Sequence, residues 1–355
     1  MEQALGHVAY GQGLKQALGR RSDLECEWLE VPFGRDGFGR VPALGANWTL
    51  RGSLRAQRLV ARAHQTRPLR ALFIHTQTIG LFSAGHMRRI PTLLSLDATP
   101  TNYDELAHFY GDSVHPDLVE RAKLMLHSAV MRQAQRITTW SQWAKDSLVR
   151  HYGVEADRIT VIHPGTVLSN YPAPSERTPR RDGPLRVLFV GGDFERKGGD
   201  LLLEAVRGPL RDQIELHLVT SAPVVEGPGV HVYRGLKPHS KELLQRYAEA
   251  DVFALPTRGD CLAVVLGEAM ASGLPIITTR VGAHAEAVED EASGFLMQPD
   301  DRAALVDRLG RLARDRDLGV RLGRRSRAIG EDRFDMQKNA DRIAGMLLEL
   351  AGAPS

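Results

Sequence analysis

Two carboxylates and a lysine carry the chemistry this sequence offers. Glu268 stands in the middle of a helical segment in which Ala263, Val264, Val265, Leu266, Ala269, Met270 and Ala271 leave almost no polar face. Such a helix belongs inside the protein. A carboxylate buried there is costly unless something hydrogen-bonds it. A neighbouring arginine would satisfy it, and so would a ligand carrying hydroxyl groups. Asp260 lies eight residues earlier, in the turn before the helix. Ligands of open parallel sheets lie beyond the carboxyl ends of the strands, beside helix N-termini. Asp260 then falls at the crevice, and Glu268 about two turns along the helix at ~1.5 Å per residue. Lys197 belongs to a second turn, Gly191-Gly192-Asp193-Phe194-Glu195-Arg196-Lys197-Gly198-Gly199. Glycines let backbone amides approach a phosphate, a helix N-terminus favours its charge, and Lys197 adds a full positive charge. Many α/β loops are rich in glycine, so a solvated loop cation is the plain reading of Lys197.

The elements that must position these groups follow from the pattern. The apolar run Val252 to Leu255 reads as a strand, and Pro256-Thr257-Arg258-Gly259 breaks it. A helix is expected from about Cys261 to Ser272, stopped by Gly273 and Pro275, and a strand over Leu274 to Thr278. Strands are expected over Leu185 to Val190, Ile214 to Val219 and Val230 to Tyr233. Helices are expected over Asp200 to Val206, His239 to Ala250, Asp301 to Leu312, Asp317 to Ile329 and Met336 to Leu350. In the first half, helices are expected over 8–20, 51–65, Val119 to Gln135 and Ser141 to Tyr152. Strands alternate with them over Leu24 to Val31, Ala71 to His75, Thr92 to Leu96, Arg136 to Thr139 and Ile159 to Ile162. This alternation predicts an α/β protein with parallel sheets. A chain of 355 residues suits two domains of about 150–180 each. The Pro-, Ser- and charge-rich segment 166–184 reads as the linker between them.

The stretch from Asp251 to Asp301 resembles the nucleotide-sugar half of retaining glycosyltransferases of family 4, the group 1 glycosyl transferases. The resemblance rests on Asp260, then Glu268-Ala269-Met270-Ala271-Ser272-Gly273-Leu274-Pro275, then Thr279, Gly282 and Glu286, then Gly294 and Pro299-Asp300. It spans about fifty residues with many fixed spacings. It implies the GT-B fold, two Rossmann-like domains with parallel sheets facing a central cleft. Residues 1–165 would form the acceptor-side domain, 185–335 the nucleotide-sugar domain, and the helix in 336–355 would cross back to the first. It implies retaining transfer from a nucleoside-diphosphate sugar, with no metal and no cofactor besides that donor. Asp260, Lys197 and Asp97 would be catalytic. Arg196, Gly191, Gly192 and the stretch Cys261-Leu262-Ala263 would hold the diphosphate, Glu268 the ribose, and Gly235-Leu236 the base. Gly6 would lie in the opening glycine turn.

The chain departs from that pattern at several points. Asp260 replaces the usual Glu, and Cys261 and Ala263 stand where the family has glycines. Gly192-Asp193 stand where an Arg often follows the first Gly, with Arg196 as a substitute. The family's mid-domain His-Asp pair is reduced to Asp97, with His7, His75 and His108 as candidate replacements and Asn102 and Tyr103 as acceptor-side neighbours. Almost nothing precedes the Leu5-Gly6-His7 turn, so the first strand is expected to be short or missing, or to start upstream of Met1. These departures keep a non-catalytic or partner-dependent nucleotide-sugar-binding protein as the alternative. Another GT-B enzyme, such as a phosphorylase or epimerase, is a further rival. A dinucleotide dehydrogenase is excluded, because neither glycine turn has the required spacing.

Composition narrows the setting. With 43% hydrophobic and 25% charged residues the chain is an ordinary globular protein rather than a disordered one. Two cysteines, Cys26 and Cys261, make no disulfide framework and fit a reducing compartment. No run of eighteen apolar residues suggests a transmembrane helix, and the first twenty residues lack an apolar signal core. The expected location is cytoplasmic. Residues 1–165 carry roughly +5 and the remainder roughly −2. That surplus is either a solvated face or an attraction to an anionic acceptor or to anionic lipid at the inner face of a membrane. Nucleic acid is disfavoured, since the basic residues are scattered with few aromatics between them. Asp315-Arg316-Asp317 spells an acid-x-acid triplet but lies among helical charges and reads as surface. No Cys/His cluster has metal-ligand spacing in sequence.

Overall fold

A computed structural model describes residues 1–3, 6–32, 48–106, 117–171 and 182–352. His108 and residues 172–181 of the expected linker lie outside the described residues. The chain divides into two compact units, one built from both ends of the sequence and one from residues 166–335 together with the segment that starts at Leu106.

The first unit opens with β1 (Glu2–Gln3), α1 (His7–Leu18) and β2 (Val31–Pro32). The opening strand is therefore present but two residues long, and it pairs in parallel with β2. The longer strand expected over Leu24 to Val31 shrinks to its last residue and Pro32. Glu25, Glu27 and Glu30 put charge at close intervals along that segment, which favours solvent over a ladder. Next come α2 (Trp48–Thr66), β3 (Leu72–His75), β4 (Thr92–Leu96), α3 (Pro100–Glu105), α4 (Asp117–Gln133), β5 (Arg136–Thr139), α5 (Gln142–Tyr152) and β6 (Ile159–Val161). The strands form a parallel sheet in the order β3-β4-β5-β6. Leu93, Leu94, Leu96 and Ile137 are fully buried there. Ser141 caps α5 by accepting from the Ala144 N–H at 3.1 Å, and Gly153 ends it in the left-handed region.

The second unit holds β7 (Leu185–Val190), α6 (Gly199–Arg207), β8 (Ile214–Val219), β9 (Val230–Tyr233), α7 (Lys241–Glu249), β10 (Val252–Leu255), α8 (Val264–Ala271), β11 (Ile276–Thr279), α9 (His284–Ala287), β12 (Gly294–Met297), α10 (Arg302–Arg314) and α11 (Arg316–Arg333). Its sheet is parallel with the order β12-β11-β10-β7-β8-β9. From β7 the chain winds outward through β8 and β9, then returns to place β10 on the other side of β7. The winding direction reverses between β7 and β10, which makes that gap the topological switch point. β10 is buried at every position, as a strand covered on both faces must be. β12 is an additional strand of four residues, not among those expected.

Two expectations shift at element ends. The helix expected from Cys261 begins only at Val264, with Ala263 as its N-cap. Residues 166–171 belong to the second unit rather than to a free linker. The Thr166 N–H donates to the Phe334 carbonyl at 2.7 Å, and Tyr171 is buried edge-on against Tyr247. Asp315 of the acid-x-acid triplet caps α11, accepting from the Leu318 N–H at 2.8 Å. The last helix, α12 (Met336–Gly352), belongs to the first unit. There Asn339 donates to the His163 carbonyl at 3.0 Å and Arg21 pairs with Asp341 at 2.8 Å.

Candidate functional site

The turns that follow β7 and β10 face each other across the switch point. Gly198 adopts a left-handed φ of 75°, and a Cβ there would strike the Pro256 carbonyl. Only glycine lets the two turns meet this closely. Arg258 bolts them together. Its guanidinium holds both Asp200 oxygens at 2.8 Å, Asp300 at 2.8 Å, and the Glu195 carbonyl. The Arg258 N–H also donates to the Arg196 carbonyl at 2.8 Å.

This clamp brings Lys197 to Asp260. The Lys197 Nζ donates to Asp260 Oδ2 at 2.8 Å, although the residues are 63 positions apart. Arg196 adds a second cation 3.8 Å from the same oxygen, held in place by Asp193 at 2.8 Å and by the Gly259 carbonyl. Burial alone would raise the Asp260 carboxyl. The Lys197 ammonium, with His284 and the Arg196 guanidinium, outweighs it and holds the group below its usual 3.8. The result is a fixed anion with two cations on one side of it.

His284 closes the site from β11 and α9. Thr278 gives its one hydroxyl hydrogen to the Leu255 carbonyl at 2.8 Å. It must therefore accept from His284 Nδ1, which lies 2.9 Å away. That fixes the proton on Nδ1 and leaves Nε2 to accept the Ala263 N–H at 3.4 Å. Burial pushes the His284 pKa down to about 4, with Asp260 opposing and Lys197 assisting, so the ring is neutral at pH 7. Gly282 makes this packing feasible, because a Cβ there would strike the carbonyls of Asp260 and Cys261. The Ala263 amide, expected to be open to a ligand, is already engaged. His284 sits inside the Thr279–Gly282–Glu286 pattern at a position that pattern leaves unspecified, so only its burial singles it out.

Glu268 is 4% exposed. The arginine partner considered for it is replaced by a tyrosine: the Tyr247 hydroxyl on α7 donates to Glu268 Oε2 at 2.7 Å. Burial raises its pKa to about 7, and the Tyr247 bond opposes that shift. The nearby Tyr171 hydroxyl is buried and has no hydrogen-bond partner among the described residues. Glu268 thus sits in an apolar, tyrosine-lined setting near its midpoint of ionisation at pH 7. Neither tyrosine carries a sequence signal beyond an aromatic residue on an apolar face.

The remaining expected residues are placed as follows. Gly191 ends β7 and donates to the Val219 carbonyl at 3.0 Å, and a Cβ there would meet the Lys197 stem. Gly192 opens onto free space. Gly235, with a left-handed φ of 73°, and Leu236 follow β9 in an exposed turn. Cys261 and Leu262 are buried. Gly6 is the N-cap of α1 in the first unit. Asp97 is also in the first unit, just beyond β4, and accepts from the Tyr103 hydroxyl at 2.8 Å. His7 faces Asp97 at 3.8 Å and shares a hydrogen bond of 2.9 Å with His75, whose Nδ1 lies 3.2 Å from the Ser95 hydroxyl. Burial drives the His75 pKa well below 6.5. Asn102 is engaged locally, accepting from the Thr99 N–H and hydroxyl at 3.0 Å each. No described helix is long and apolar enough to cross a membrane.

Residues 184–315 match the family described as glycosyl transferases group 1, and residues 19–170 match glycosyltransferase family 4. A D-inositol 3-phosphate glycosyltransferase of Streptomyces scabiei is 30% identical over 236 residues, 59% of this chain and 53% of that protein. A protein of the same name from Geodermatophilus obscurus is 32% identical over 225 residues, 55% of this chain and 49% of that protein. The chain thus spans about half the length of these relatives. Among solved structures, sucrose-phosphate synthase from Thermosynechococcus elongatus superimposes with a TM-score of 0.76 at 20% identity, covering 99% of this chain and 96% of its own. Anabaena HepE in complex with UDP gives 0.70 at 18% identity, with 98% of each chain covered. The fold is the GT-B fold of these proteins.

Proposed function

We propose that this chain, which belongs to the group 1, family 4 glycosyltransferases, moves a sugar from a nucleoside-diphosphate sugar to an acceptor with retention at the anomeric carbon. The observation that carries the reading is the Lys197–Asp260 pair at the switch point of the second sheet. Two cations and one anion, drawn from turns on either side of the ligand crevice of an α/β sheet, suit a substrate that is anionic at one end and hydroxyl-rich at the other.

The roles follow from the charges. As the sugar leaves the diphosphate, negative charge grows on the bridging oxygen. Lys197 and Arg196 are preorganised cations for that charge, and such groups supply much of the barrier lowering in transfer reactions. Lys197 exchanges its contact with Asp260 for phosphate oxygens, and Asp260 becomes free to accept hydrogen bonds from the sugar hydroxyls. Glu268 accepts from the ribose hydroxyls with the oxygen that Tyr247 leaves available. Neutral His284 holds the Ala263 amide and the Asp260 turn still. Because Asp is shorter than Glu by one bond of about 1.5 Å, the sugar lies deeper against Cys261 and Ala263 than it would beneath a glutamate. The Anabaena neighbour binds UDP and UDP-glucose, which supports a nucleotide-sugar donor. The relatives named for D-inositol 3-phosphate, together with the surplus of roughly +5 in residues 1–165, support an anionic polyol as acceptor.

The test is calorimetric titration with UDP, GDP, ADP and their common sugars, on the wild type and on Lys197→Ala and Glu268→Ala. The preferred nucleotide is expected to bind each variant about tenfold or more weakly, a difference of ~1.4 kcal/mol. Unchanged binding in both variants would remove the donor assignment.

A further inference from the structure

We propose that Glu215, His217 and His231 form a zinc-binding site on the outer strands β8 and β9 of the second unit, a site that does not depend on the transferase reading. Alternation along β8 puts Glu215 and His217 on one face of the sheet. The parallel register pairs His217 with His231 on β9, so the two imidazoles stand side by side, 4.9 Å between centroids and 23° from parallel. One ligand atom from each of the three residues lies within 4.8 Å of the others. Glu215 Oε2 and His217 Nε2 are 3.8 Å apart. Zinc–ligand bonds of about 2.0 Å put neighbouring tetrahedral ligands roughly 3.3 Å apart, so small side-chain rotations close the set.

The imidazole of His217 carries the argument. Its Nε2 is buried without a hydrogen-bond partner among the described residues. Its Nδ1 lies 3.0 Å from the Tyr233 hydroxyl, which also accepts from Arg246 at 3.1 Å. With the proton on Nδ1 and donated to Tyr233, Nε2 turns a bare lone pair toward Glu215. A ligating histidine is held in this way, its far nitrogen anchored by an outer partner. His231 is exposed and provides the entry path and room for a water in the fourth position.

The charges that face the site set its character. Glu215 is shared with Arg186, whose Nε lies 3.4 Å from Oε2, and Arg246 stands over the Tyr233 ring. Both guanidiniums oppose a bound cation. Two imidazoles and one carboxylate suit Zn²⁺, whereas Mg²⁺ demands an oxygen shell that this set lacks. In sequence the three residues have no metal-ligand spacing. The register of two neighbouring strands assembles them.

The experiment is calorimetric titration of the metal-free full chain with ZnCl₂ and, separately, MgCl₂ at neutral pH, without nucleotide. One zinc per chain and no magnesium are expected for the wild type. His217→Ala and His231→Gln should each lose the bound zinc, and Tyr233→Phe should weaken it about 10–100-fold. Arg186→Gln should bind zinc more tightly than the wild type, an outcome that a general disturbance of the strand would not produce. Absence of zinc binding by the wild type would overturn the proposal. So would unchanged binding in His231→Gln, whose exposed ring can be replaced without loss of packing.

Discussion

The switch point of the second unit holds a half-buried acid and the end of β4 in the first unit a buried one, and the two are surrounded differently. Asp260 is faced by the full charges of Lys197 and Arg196 and by a histidine whose protons are already assigned. Asp97 is faced by a tyrosine hydroxyl and by His7, which passes on to His75 and Ser95 through hydrogen bonds. The first arrangement has fixed charge and little freedom to move protons, so it suits stabilisation of an anion. The second has no Lys or Arg among those contacts and a chain of groups that can share protons, so it suits recognition of neutral hydroxyls. Under the proposed function, the two acids take distinct tasks from their neighbours rather than from their own chemistry.

The sharpest way to break this contrast is Lys197→Ala. Loss of one preorganised cation should lower kcat/KM by roughly 100-fold or more, read by steady-state transfer assays, with nucleotide affinity falling as well. Next, Asp97→Ala should lower turnover by about tenfold while leaving nucleotide affinity within about twofold. Calorimetry alongside turnover separates the two, and equal losses of nucleotide affinity in both variants would erase the distinction. Third, Glu268→Gln changes how stability depends on pH. The folded pKa is about 7 against a usual 4.5, so the folded state holds a proton that the unfolded chain releases. Stability should therefore fall as pH rises from 4.5 to about 7, by on the order of 3 kcal/mol, and level off above. The Gln variant should lack that fall, which denaturant melts at pH 5 and pH 8 would reveal. The smallest effect belongs to Tyr247→Phe. Removing the donor to Glu268 should cost about 1 kcal/mol and move the Glu268 midpoint upward, visible as a shift in the pH profile of nucleotide binding.

Much of the second unit was legible because strands such as β7, β10 and β11 are short, mostly apolar runs with Gly or Pro at one end or both, whereas β12, also buried at every position, was not anticipated. Glu268 stood out as a charge in a place where charge is expensive, and Asp260 and Lys197 as charges in turns that open helices. Tyr247 and His284 did not, because an aromatic or imidazole in an apolar pattern looks like core until its polar atom is seen to have a partner. The start of α8 was misplaced by three residues: Cys261 and Leu262 are apolar enough to extend the helical pattern, but the turn around Gly282 holds them out of it. In the first unit the failures were geometric. His7 was one of three histidines weighed as a partner for Asp97, but which of them faces it was not legible, since His7 and Asp97 are ninety positions apart. Glu215, His217 and His231 were invisible for the same reason, because strand register is a property of the sheet and not of spacing along the chain.

The return of α12 to the first unit has a consequence for synthesis. Residues 166–335 contribute every strand of their own sheet as one uninterrupted segment, so that unit has all its parts once residue 335 has left the ribosome. The unit begun first must wait for Met336, Ala340, Ile343 and Leu347, which supply buried surface from the far end of the chain. Translation starts one half and completes the other before it, so a nascent chain released around residue 335 would carry a whole second unit tethered to an unfinished first.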